Sequence, residues 1–116
     1  MAVRRIVPDV QSTDPAASRV FYGEVLGLEA AMDLGWIVTF AAPGNVTAQI
    51  SVMGHDASAP LTPDATVEVD DVDAAHAACE RSGYAIVHPL TDEPWGVRRF
   101  FVREPGGTVL NIMGHP

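Results

Sequence analysis

Asp14-Pro15-Ala16-Ala17-Ser18-Arg19-Val20-Phe21-Tyr22 and, 57 residues on, Asp71-Val72-Asp73-Ala74-Ala75-His76-Ala77-Ala78 make the same statement twice. Thr13 or Asp14 caps a helix in the first stretch, with Pro15 pre-set for the opening turn, and Asp70 or Asp71 does so in the second. Val20, Phe21, Val25 and Leu28 recur at helical spacing, as do Val72, Ala75 and Cys79, and Gly27 and Gly83 supply the stops. A period near half the chain length implies two copies of one supersecondary unit.

The flanks agree. Residues 3–10 read as a strand with Ile6 and Val10 on one face, and 28–32, 36–42 and 48–53 are strand-length runs separated by Leu34-Gly35 and Pro43-Gly44-Asn45. Residues 55–63, with Asp56, Ser58, Pro60 and Pro63, have no period and read as a linker. Ala65, Val67 and Val69 then alternate with Thr66 and Glu68, so the second copy also opens on a strand. A strand starts at Tyr84, the proline-bearing run 88–95 is loop or edge, and 98–103 and 108–113 flank a Glu104-Pro105-Gly106-Gly107 turn. The order is β-α-β-β-β twice. The expected fold is α+β, with one module at 1–54 and another at 64–116 in a single domain, their sheets curving around a cleft.

Composition narrows the function classes. An apolar fraction of 47% with a mean hydropathy of +0.14 marks a folded globular chain. No run approaches the roughly 20 apolar residues that span a bilayer, and Met1 to Ile6 leads into no apolar signal region, so no membrane partner is expected. The single cysteine, Cys79, has no internal disulfide partner, which fits a cytoplasmic setting. A net charge of −8 is the wrong sign for a nucleic-acid binder and favours cationic small molecules or a solubility surface. The chain has no lysine, which excludes Schiff-base chemistry and a phosphate-loop lysine. A domain this small buries only about 65% of its unfolded surface, so a homodimer is expected to help stabilise it.

Candidate cleft residues follow from alternation. Gln49, Ser51 and Met53 share one strand face if Ile50 and Val52 pack on a helix, and Asp64, Thr66 and Glu68 do the same in the second copy. Trp95 is an aromatic wall for a flat or cationic ligand, or else core with Phe101. Arg98 and Arg99 must face opposite ways, and one of them meets the cleft. His88 is either a ligand contact or structural, His76 reads as surface-facing, and His55 and His115 follow corresponding glycines at the two module ends. Glu68 or Asp64 would serve as a general base if desolvated.

Phe21-Tyr22-x-x-Val25-Leu26-Gly27-Leu28, then Trp95-Gly96-x-Arg98, then Phe101-x-x-Glu104-Pro105-Gly106-Gly107 together resemble the vicinal-oxygen-chelate superfamily of glyoxalases, bleomycin-resistance proteins and extradiol dioxygenases. The resemblance covers essentially the whole chain. It implies paired βαβββ modules, commonly completed in a dimer, and in metal-dependent members a divalent ion held from four strand positions. Those positions fall here on Val7, Ser51 (or Gln49), Asp64 and Asn111. Valine has no donor atom, serine is a poor ligand and an asparagine amide a weak one, so no metal cofactor is expected. The expected function is therefore the binding of a small organic molecule, of the bleomycin-resistance kind that sequesters a cationic drug. The alternative is a lyase, isomerase or dioxygenase whose divalent metal is held by Gln49, Asp64, Glu68 and a histidine. A third is an interaction module with a vestigial cleft.

Overall fold

Alternating apolar residues and well-placed caps give, over the residues 1–116 that the computed structural model describes, the elements β1 (Val3–Gln11), α1 (Pro15–Val20), a π-helical turn (Phe21–Val25), β2 (Glu29–Asp33), β3 (Ile37–Ala42) and β4 (Asn45–Met53). There follow β5 (Ala65–Val69), α2 (Val72–Arg81), β6 (Ile86–Asp92), β7 (Arg98–Arg103) and β8 (Val109–Gly114). The fold is mixed α+β. The chain parts into two compact units: Val7–Thr62, here the N-terminal unit, and Met1–Ile6 with Pro63–Pro116, the C-terminal unit. The first strand is thus divided between them, where the sequence reading placed it whole in the first module. Residues 55–63 hold no helix or strand.

The two units repeat one topology. In the N-terminal unit β2, β3, β4 and β1 lie side by side, with β1 parallel to β4 and Asp9 opposite Ser51. In the C-terminal unit the order is β6, β7, β8, β5, with β5 parallel to β8 and Thr66 opposite Asn111. The helices start alike. Asp14 accepts a hydrogen bond from the Ala17 amide at 3.1 Å, and Asp71 accepts one from the Ala74 amide at 3.0 Å. Each such cap satisfies an amide that the first turn leaves without an intrahelical partner.

They stop with one difference. Gly27 and Gly83 both take the left-handed conformation, at φ 72° and 76°. Asp14 to Gly27 spans 13 steps, whereas Asp71 to Gly83 spans 12. The first helix absorbs the extra residue by widening into the π turn, where the Leu26 amide reaches back to the Phe21 carbonyl at 3.1 Å.

Each helix covers one face of its own sheet. In the C-terminal unit Val69, Val72, Ala75, Phe100, Val102 and Ile112 form the core. His76, expected at the surface, packs edge-on against Phe100 with ring centroids 4.9 Å apart, because the helix turns it toward the sheet. In the N-terminal unit Val38, Phe40 and Val52 are buried, and Tyr22 stacks on Phe40 at 5.6 Å. The buried residue of β1 is Val7, 2% exposed, while Ile6 is 62% exposed. Strand alternation allows only one of these two neighbours to turn inward, and it is Val7. No helix is long and apolar enough to cross a membrane.

Arg19 fastens α1 to the end of β2 through a bidentate pair with Asp33, at 2.7 and 2.9 Å. That hydrogen bonding, with the Gly35 amide, pulls the Asp33 carboxyl down to about 2. Asp33 should therefore titrate well below an ordinary aspartate by NMR, and Arg19→Ala should raise its midpoint. Whatever stability the pair adds is present above the ordinary aspartate range and fades as pH falls toward 2. Asp71→Ala should cost about 1 kcal/mol through the lost cap and lower the melting temperature by about 4 °C.

Candidate functional site

The helix-free face of the C-terminal sheet carries the polar side chains. Register sets them in rows: Thr66, Asn111, Phe101 and His88 lie across β5, β8, β7 and β6. Glu68, Met113, Arg99 and Thr91 form the next row. The first row ends on a residue that alternation alone would misplace. Ile86 and Leu90 pack against the helix-side core, so His88 between them should follow. The pairing slips between Ile86 and His88 and again before Thr91, and the irregularity turns His88 to the opposite face. Pro89, which cannot donate to a ladder, is the sequence signal for that slip.

A closed ionic assembly sits at this end of the sheet. Glu93 accepts a 3.1 Å bond from the Arg99 guanidinium and lies 3.8 Å from His88 Nε2. All three residues are under 8% exposed. The Arg99 guanidinium carbon stands 4.9 Å from the Trp95 ring centre and 5.0 Å from that of Phe101, so a cation is sandwiched between two aromatic faces. His88 leans on Phe101 with ring centroids 5.0 Å apart. Trp95 and Glu93 are delivered by the β6–β7 turn, where the Gly96 amide bonds the Glu93 carbonyl at 3.1 Å and Gly96 adopts φ 94°. That conformation is strained for any residue with a Cβ.

The nominated residues thus separate. Arg99, not Arg98, occupies the helix-free face. Arg98 lies on the helix side, bonded to Asp73 at 2.9 Å and Asp92 at 3.1 Å, and these partners, Asp73 foremost, raise its pKa. Phe101 is fully buried, whereas Thr66, Glu68, Trp95 and Asn111 keep partial access to solvent. Glu68 pairs with Arg5 at 2.6 Å. Asn111 Nδ2 donates to Thr66 Oγ1 at 3.1 Å, while its buried Oδ1 has no hydrogen-bond partner. Asp64 sits at the strand mouth, where its carboxylate accepts the Val109 amide at 2.9 Å.

In the N-terminal unit Met53 is buried and Ser51 shares a 2.7 Å hydroxyl contact with Thr39. Gln49 donates to the Val46 carbonyl at 2.7 Å. His55 lines a polar pocket with Gln11 and Asp56 in this unit, and His115 lines another with Asp70 and Asp73 in the C-terminal unit. Burial pushes the Cys79 thiol up, which suits packing rather than nucleophilic chemistry. Glu93 was not singled out from the sequence, because an acid between Asp92 and Pro94 reads as loop.

The four positions where the resemblance places metal ligands do not fit a divalent ion. Val7 offers no donor, Ser51 is engaged with Thr39, Asp64 is engaged with a backbone amide, and Asn111 offers only an amide. No three His, Cys, Asp or Glu side chains converge on a common point.

Two repeated βαβββ units, each with a helix on one sheet face and polar residues on the other, define the class of protein. The profile of the Glyoxalase/Bleomycin resistance protein/Dioxygenase superfamily matches residues 5–112, and the chain belongs to that superfamily. Solved structures share its fold. A superfamily member from Vibrio splendidus 12B01 is 20% identical, with a TM-score of 0.67 over 97% of this chain and 99% of that one. Methylmalonyl-CoA epimerase from Mycobacterium tuberculosis is 18% identical, with a TM-score of 0.70 over 98% and 87%. Homoprotocatechuate 2,3-dioxygenase from Brevibacterium fuscum is 19% identical, with a TM-score of 0.71 over 97% of this chain and 37% of that longer one. None of the curated proteins compared by sequence matches.

Glu93→Ala should destabilise the protein by about 3 kcal/mol, since a buried guanidinium loses its carboxylate, and Glu93→Gln should cost less. Gly96→Val should cost about 1–3 kcal/mol through the forced positive φ. Urea unfolding midpoints measure both.

Proposed function

We propose that this chain binds a small organic molecule without a protein-held divalent metal, at the part of the C-terminal unit where Thr66, Glu68, Trp95 and Asn111 reach solvent. The observation that carries the reading is Asn111. A buried acceptor left open costs about 1–3 kcal/mol, and an N–H or O–H of a ligand would recover it. The donor set described above supports independence from metal. The neighbouring Glu68–Arg5 pair supplies further charged hydrogen bonding beside Asn111.

The ligand proposed is cationic, of the glycopeptide-antibiotic type, and is sequestered rather than converted. The net charge of −8 supports this by drawing cations from a distance. Arg99 already occupies the faces of Trp95 and Phe101, so the ligand's charge is met by the field and by Glu68, not by a second aromatic sandwich. The setting proposed is the reducing cytoplasm, where Cys79 remains a thiol.

Titration calorimetry with a bleomycin-type antibiotic tests this. Expected are saturable heat that weakens with added salt, no change on chelator treatment, and about a tenfold loss of affinity in Asn111→Leu. Absence of heat across a panel of such cations would overturn the drug-binding form. Stoichiometric zinc, nickel, manganese or iron in metal-replete protein would overturn metal independence and favour the lyase, isomerase or dioxygenase reading.

A further inference from the structure

Residues 55–63 hold no helix or strand, yet they bury a charge. Asp56 is 7% exposed, although Ala57, Ser58 and Pro60 beside it face solvent. The Ser58 amide, at 2.9 Å, and the Ser58 hydroxyl both donate to Asp56 Oδ1. The Ala59 amide reaches the Asp56 carbonyl at 3.3 Å. This turn borders a pocket of about 280 Å³, whose lining includes Gln11, His55, Asp56, Pro60, Leu61 and Thr62. The pocket lies wholly within the N-terminal unit and shares no residue with the site of Thr66, Glu68, Trp95 and Asn111.

Each wall states what it accepts. Asp56 is the one acid in the lining and no arginine is there, so the pocket is negative at neutral pH. A buried carboxylate favours a cationic guest, because charges attract more strongly in a dry contact than in water. Gln11 presents an acceptor. A backbone carbonyl can only accept, so the amide end that meets the Gly54 carbonyl at 3.3 Å is Nε2, and the other end is Oε1. The Thr62 hydroxyl adds a second neutral acceptor. Pro60 and Leu61 have no polar side-chain atom and suit a hydrocarbon stem. One carboxylate and two neutral oxygens match the three N–H donors of a primary ammonium. Size sets the rest. The volume falls just below the roughly 300–1,000 Å³ of pockets for drug-sized ligands, which limits the guest to a few carbons. We propose that this pocket binds a small primary alkylammonium ion, its head on Asp56, Gln11 and Thr62 and its chain along Pro60 and Leu61. The inference does not depend on the ligand reading of the C-terminal sheet.

Amide NMR titration of the full chain with n-pentylammonium chloride tests it. Expected are saturable shifts at Gln11 and residues 55–62, with half-saturation at about 1 mM, as suits a ligand of about six heavy atoms. Asp56→Asn keeps an oxygen for the Ser58 bonds but removes the charge, and should weaken binding about tenfold. Ala59→Phe, which fills the pocket from its own wall, should abolish the shifts. Tetramethylammonium has the charge without an N–H, and n-pentanol has the stem without the charge. Neither should give a saturable shift there. No saturation at these residues, an equal response to tetramethylammonium, or shifts centred on Asn111 instead overturns the proposal. So does unchanged binding in folded Asp56→Asn and Ala59→Phe.

Discussion

A strand has two faces and each unit owns only one helix. That constraint organises the molecule. The face beneath the helix can be filled with Val, Phe and Ile and asks for nothing else, as Val69, Phe100, Val102 and Ile112 show. The other face receives every alternate residue of the same strands, and there the chain places Glu68, Arg99, His88, Asn111 and Thr66. Parallel pairing of the first and last strands makes the rows continuous across a unit, so a polar side chain on β5 stands beside one on β8 rather than at random.

The Glu93–Arg99 pair is the costliest consequence. Two charges withdrawn from water repay their desolvation only when geometry and further hydrogen bonding are good. Here the aromatic faces of Trp95 and Phe101 take up the guanidinium that the carboxylate holds. The assembly is therefore best understood as a clamp on the β6–β7 hairpin, fixing where Trp95 stands, and only secondarily as a source of stability. It also explains why Gly96 follows Trp95. The turn must bring Glu93 back over β7, and a left-handed residue closes it.

Much of this was legible in the residues. The caps at Asp14 and Asp71, the glycine stops and the doubled strand order are local chemistry, and the structure follows them. Even the π turn was written in the count from cap to glycine, one residue longer in the first copy. Face assignment was less accessible. Alternation states that Arg98 and Arg99 diverge, and Ile6 and Val7 likewise, but parity is set by which side the helix packs on, a tertiary fact. His88 was harder still, because the slipped register beside Pro89 breaks the period on which any such assignment rests. Glu93 was hidden by its setting: composition around it signals a turn, and nothing local shows that the turn folds its carboxylate inward.

The acidic balance is where sequence and structure weigh differently. Counted along the chain, the carboxylates suggest a magnet for cations. Located in space, many have local work. Asp14 and Asp71 cap helices, Asp70 holds the Ala2 amide and Asp64 the Val109 amide, while Glu104 binds the Thr108 amide. Asp33, Asp73, Asp92, Glu68 and Glu93 face arginines. A carboxylate that caps a helix keeps its charge but has a fixed partner, so it adds to the distant field without offering a contact. The Asn111 side chain differs from these carboxylates, because its buried Oδ1 has no hydrogen-bond partner. The long-range field and the capacity for a further hydrogen bond therefore reside on different residues, the first on carboxylates with fixed partners and the second on a neutral amide.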